Sequence, residues 1–144
     1  MQEAYVDKRM LAALAEKLEL APEVLREQKR QAFELVSGEL LSSVQARIGG
    51  TGKVAGWQER FTGSGGGWAS ARPRAKQFTE PGKRSKKRYA VGYVTNAVNS
   101  GHRTPGGGRV TGRWFYQKTQ AQAEALARKT MERIVQGLVD QLEE

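Results

Sequence analysis

The sequence predicts an α+β fold: a small antiparallel sheet of three to four strands packed with a long N-terminal helix and a C-terminal helix, with long mobile Gly-rich and basic loops. Three observations carry this. Apolar residues recur every three to four positions towards both ends of the chain, the period of one helical face. Between them, residues 49–67 hold eight glycines, too many for a helix. Two segments there alternate in the manner of strands.

Taken in order, Met10, Leu11, Leu14 and Leu18 predict a first helix over about 4–20. Pro22 interrupts it, because proline is tolerated in a first turn and not in a helix interior. A second helix, 22–48, then carries Leu25, Ala32, Phe33, Val36, Leu40, Val44 and Ile48 on one stripe, and Gly49-Gly50 ends it. Trp57, Glu59 and Phe61 alternate with Gln58 and Arg60, and "GSGGG" leads into "WASARPR", which predicts a Gly-rich hairpin over 53–77. Pro73 ends its second strand or confines it to an edge.

In "RYAVGYVTNAV", bulky Tyr89, Val91 and Tyr93 alternate with small Ala90 and Gly92. That predicts a central strand over 88–98, with its small-residue face covered by the second helix. A turn, 99–111, follows. Thr111 is the expected N-cap of a C-terminal helix, 112–142, whose stripe is Ala123, Leu126, Ala127, Thr130, Ile134, Leu138 and Leu142.

At 144 residues the chain suits one domain, 1–144. It has no cysteine, which excludes disulfides and thiolate metal sites. No cleavable signal and no membrane-length apolar run is visible, so a soluble cytosolic chain is expected. The net charge is +9, and residues 72–88 place eight cations (Arg72, Arg74, Lys76, Lys83, Arg84, Lys86, Lys87 and Arg88) against Glu80 alone. This basic loop has three open readings: a solvated loop, a contact with acidic neighbouring subunits, or a contact with DNA.

The segment "NSGHRTPGGGRVTGRWFYQKT", residues 99–119, is the obvious place to look for chemistry. It lacks the lysine of a phosphate-binding loop, and its glycines do not fall at dinucleotide-fingerprint spacing. His102 has no Asp or Glu between residues 81 and 123 to orient it as a general base, and no carboxylate cluster stands ready for a metal. Catalytic, cofactor and metal residues are therefore expected to be none. Trp114, Phe115 and Tyr116 would point about 100° apart around a helix, so at least one is left for a partner outside the subunit. Arg113 precedes them, and arginine and aromatics anchor protein interfaces.

The run "YAVGYVTNAVNSGHRTPGGGRVTGRWFYQK", residues 89–118, resembles the tail-component family of long-tailed double-stranded DNA phages, which includes tail-completion proteins that join tail to head. Elsewhere the likeness is architectural: an N-terminal helix, a glycine-rich hairpin and a C-terminal helix. Many members carry a more acidic E-x-G where this chain has Asn99 to Gly101. The resemblance implies a non-enzymatic α+β virion protein without cofactors, forming a ring of subunits, expected to be hexameric, at the end of the tail tube. Its implied partners are other copies of itself, the tail tube protein and a head connector or neck protein, with possible contact to genomic DNA in the channel and none to membrane. Its implied location is the head–tail interface of the virion, after assembly in the host cytoplasm.

The candidate interface residues are Arg72, Arg74, Lys83, Arg84, Lys86, Lys87, Arg88, His102, Arg103, Arg113, Trp114 and Phe115. The alternative reading is a basic nucleic-acid-binding accessory protein, with Trp68, Phe78 and Tyr89 as stacking groups near the basic loop.

Overall fold

A computed structural model describes residues 3–7, 22–50, 52–63 and 67–143 and shows an α+β arrangement. In chain order the elements are strand β1 (Ala4–Asp7), helix α1 (Pro22–Ile48), a 3₁₀ turn (Ala55–Trp57), β2 (Gln58–Thr62), β3 (Trp68–Pro73), helix α2 (Val91–Ser100), β4 (Gly101–Arg103), β5 (Arg109–Thr111) and helix α3 (Phe115–Glu143). One antiparallel sheet has the order β1–β3–β2, and β4 and β5 form a separate antiparallel pair.

The long helix α1 forms where its stripe predicts. Ala32, Phe33, Val36, Leu40, Val44 and Ile48 are all buried. Burying a side chain the size of Phe33 or Leu40 stabilises the fold by roughly 1.5–3 kcal/mol before chain entropy is charged. Pro22 occupies the first position, where an amide N–H has no helical partner to lose. Gly49 stops the helix at φ +87°, with its N–H donating to Gln45 O at 3.1 Å.

The glycine-rich hairpin is also present, with Phe61 opposite Ser70 and Thr62 opposite Ala69. Pro73 is the last residue of β3, as its missing N–H requires. Yet β3 is the centre of the sheet, because β1 pairs on its other side, Ala4 opposite Ala71 and Val6 opposite Ala69. The start of the expected first helix is therefore a strand at Ala4–Asp7, while Met10, Leu11, Leu14 and Leu18 lie outside the described residues. A sheet partner outweighs helix propensity over so short a segment.

Ala4, Ala69 and Ala71 share one face by strand alternation and are fully buried, forming one core with α1 and α3. Small side chains let α1 lie close to the sheet. The opposite face is aromatic: Tyr5 stacks on Trp68 at 6.3 Å, and the Arg72 guanidinium lies 4.2 Å from the Phe61 ring centroid. Along the outer edge of β1, Gln120 of α3 takes the place of a further strand. Its Oε1 accepts the Tyr5 N–H at 2.5 Å and its Nε2 donates to Tyr5 O at 2.9 Å.

The expected central strand over 88–98 is instead helix α2. Val91, Thr95 and Asn99 are buried at intervals of four, and Tyr93, grouped with Val91 in a strand reading, turns outward. Alternation of large and small residues was misleading because two of the three buried positions are polar. The expected turn 99–111 contains the β4–β5 hairpin. The last helix, α3, runs antiparallel along α1, with Arg47 Nη2 donating to Gln122 Oε1 at 2.8 Å and Arg133 4.0 Å from Glu39 further along.

Candidate interaction surface

Three helices meet where "NSG" and "GRWFY" come together. Helix α3 starts at Phe115, three residues later than its sequence suggests, and Thr111 lies in β5 and does not cap it. Trp114 holds the capping position: its carbonyl accepts the Lys118 N–H at 3.0 Å. Tryptophan has no oxygen with which to cap. Asn99 of α2 supplies one, its Oδ1 accepting the Tyr116 N–H at 3.2 Å while its Nδ2 donates to Gln117 Oε1 at 3.1 Å. The Asn99 carbonyl also accepts the Trp114 N–H at 2.8 Å. Arg113 reaches back to α1, donating from Nη1 to Ile48 O at 2.6 Å, so one of the last carbonyls of that helix gains a cationic donor.

Gly101 and Gly112 serve close backbone approach. Gly101 sits at φ +87°, and a Cβ on Gly112 would lie 2.6 Å from Asn99 O, closer than such atoms come. They let β4 and β5 fold back over the end of α2. His102 and Arg103 stand exposed on β4, with His102 Nδ1 at 3.5 Å from Ala97 O.

Of the three consecutive aromatics, only Trp114 is exposed, at 43%, and it adopts φ +53°, a left-handed conformation costly for a non-glycine residue. Phe115 and Tyr116 are buried, their ring centroids 4.7 Å apart and tilted by 60°. Phe115, expected at an interface, is a core residue, because the helix begins at Phe115 and turns it inward. The Tyr116 hydroxyl donates to Gln58 Oε1, and Gln58 Nε2 reaches Val54 O at 3.2 Å and Thr95 Oγ1 at 3.4 Å. Burial pushes the Tyr116 phenol well above its ordinary range, and the Gln58 hydrogen bond offsets part of that rise.

The basic loop is a closed arm. Phe78 and Ala90 form a β-bridge at its neck, Thr79 N donates to Tyr89 O at 2.8 Å, and Tyr89 N donates to Thr79 Oγ1 at 3.0 Å. Beyond the neck, Lys83, Arg84, Lys86, Lys87 and Arg88 are exposed, and among the described residues none has a carboxylate partner. Arg72 and Arg74 differ from them. Arg72 lies over Phe61 with Glu3 at 4.0 Å, and Arg74 lies 4.0 Å from Glu59. Between the neck, the end of β3 and α2 opens a cleft of about 550 Å³, with Phe61, Pro73, Phe78, Thr95 and Tyr116 among its lining.

Sequence reasoning missed two residues here, Asn99 as a cap and Tyr93 as an exposed ring. The interval of four joining Val91, Thr95 and Asn99 was the available signal. Among the described residues, no three His, Cys, Asp or Glu side chains are grouped to hold a metal ion, and no helix is long and apolar enough to cross a membrane. Comparison with protein-family models, curated proteins and solved structures finds no match.

Proposed function

We propose that this chain is a structural protein of a long-tailed phage virion, which completes the tail and joins it to the head connector as a ring of copies. The likeness of residues 89–118 to tail-completion proteins is the ground for the reading. The observation that supports it best is the β4–β5 hairpin with Trp114 at its foot. A pair of three-residue strands is marginal at best in water, and this one, held over the end of α2, still leaves His102, Arg103, Val110 and Trp114 exposed. A neighbouring subunit covering the hairpin would bury that row and offset the backbone strain at Trp114.

In this role Arg103, Arg113 and Trp114 contact the next copy, and the basic arm reaches the tail tube protein, the connector or DNA in the channel. The protein performs no reaction. Its place is the head–tail interface, after assembly in the host cytoplasm. Deleting the gene should leave separate filled heads and finished tails in electron micrographs of lysates, and added purified protein should join them. Normal virions from the deletion would overturn the reading.

A further inference from the structure

The neck of the basic arm carries an aromatic surface that no other part of the described chain covers. Tyr89, the arm's last residue, stacks with Tyr93 of α2, ring centroids 6.0 Å apart and planes 16° from parallel. Tyr93 is 67% exposed and Tyr89 47% exposed, and Phe78 across the neck bridge is 57% exposed. Three aromatic rings therefore face solvent beside five cations that lack carboxylate partners among the described residues. Trp68, the other candidate from sequence, is already engaged by Tyr5 and lies 5.5 Å from the Arg72 guanidinium.

We propose that the arm and the outward face of α2 form a binding site for single-stranded nucleic acid. An unpaired base stacks on the Tyr93 ring, extending the existing tyrosine stack, and Lys83, Arg84, Lys86, Lys87 and Arg88 hold the flanking phosphates. Lysine is depleted in protein–protein interfaces, and Glu80 is the arm's one acidic residue, against five cations. A polyanion carrying flat rings matches both halves of this surface. Duplex DNA matches only the cationic half, because its bases are already stacked on one another.

The inference is independent of tail completion and requires only the purified chain, so failure of either leaves the other standing. Fluorescence anisotropy with a labelled oligothymidylate of about 16 nucleotides, the upper site size for one binding module, should show micromolar affinity at low salt. Tyr93→Ala should weaken it between about 5- and 150-fold, the range for loss of one stacked base, whereas Tyr93→Phe should retain it. The slope of log affinity against log salt should be no steeper than about −3.5 for five phosphates, and should flatten when Lys83, Arg84, Lys86 and Lys87 become alanine. Because Tyr93 is exposed, the variant should keep the wild-type urea midpoint. Three results would each overturn the proposal: no binding at low salt, binding indifferent to Tyr93→Ala in a folded variant, or displacement by polyglutamate as effective as by unlabelled oligonucleotide.

Discussion

Asn99 caps a helix to which it does not belong: its side-chain oxygen accepts the Tyr116 backbone N–H at 3.2 Å, tying the end of α2 to the start of α3. Because Trp114 holds the capping position without a capping group, this one side chain decides where the last helix begins. Asn99→Ala should lower stability by about 1–2 kcal/mol, the usual loss for a capping residue and more than a solvent-exposed asparagine would cost. Urea denaturation checks it. An unchanged midpoint would mean that the helix start is held by other contacts.

Gly112 and Gly106 make a matched pair. A Cβ at Gly112 meets Asn99 O at 2.6 Å and Ser100 C at 2.6 Å, whereas a Cβ at Gly106 meets nothing within 4 Å. Gly112→Ala should therefore destabilise by more than about 1 kcal/mol, through backbone that cannot move aside, and Gly106→Ala should stay within about 0.5 kcal/mol of the parent. Thermal unfolding of the two variants side by side gives the comparison.

Trp114 stores strain at φ +53°. Glycine adopts this conformation freely, and relief of roughly 1–2 kcal/mol should nearly balance the packing lost with a half-exposed indole. Trp114→Gly should thus leave the isolated subunit about as stable as before while reducing head–tail joining in extracts. A variant that joins normally would remove Trp114 from the proposed contact.

Tyr116 should resist ionisation in the folded protein. Its folded pKa is raised, chiefly by burial, above the ordinary value near 10 that applies in the unfolded chain. The folded form is therefore fully favoured by this group below pH 10 and loses that advantage as pH rises further, by about 1.4 kcal/mol for each pH unit between the two values. In ultraviolet titration, the difference between the native protein and Tyr116→Phe should show one phenol that ionises only as the chain unfolds. Tyr116→Phe should abolish this component, at a cost of about 1–3 kcal/mol for leaving Gln58 Oε1 buried without its donor.

Much of the architecture was visible along the chain. The stripe from Ala32 to Ile48, the stop at Gly49, the hairpin across the glycine-rich segment and the end of β3 at Pro73 follow from local rules: helical period, the left-handed tolerance of glycine and the missing N–H of proline. The errors have different causes. Ala4–Asp7 is a strand because β3 offers it backbone partners, and 91–100 is a helix although Tyr89, Val91 and Tyr93 alternate with small residues. The strand depends on a partner distant in sequence, whereas the helix was marked within its own segment by the interval of four from Val91 to Asn99.

Of the candidate surface, the sequence by itself determined the charge of the arm, the aromatic cluster at the start of the last helix and the glycines that permit close approach. Charge, ring and missing side chain are properties of residues, independent of where the chain goes. Only the tertiary structure decided that Phe115 and Tyr116 turn inward while Trp114 and Tyr93 face solvent, and that Asn99 serves as a cap. Each of these depends on which backbone groups are left without partners when three helices meet, and that is settled between segments distant in sequence.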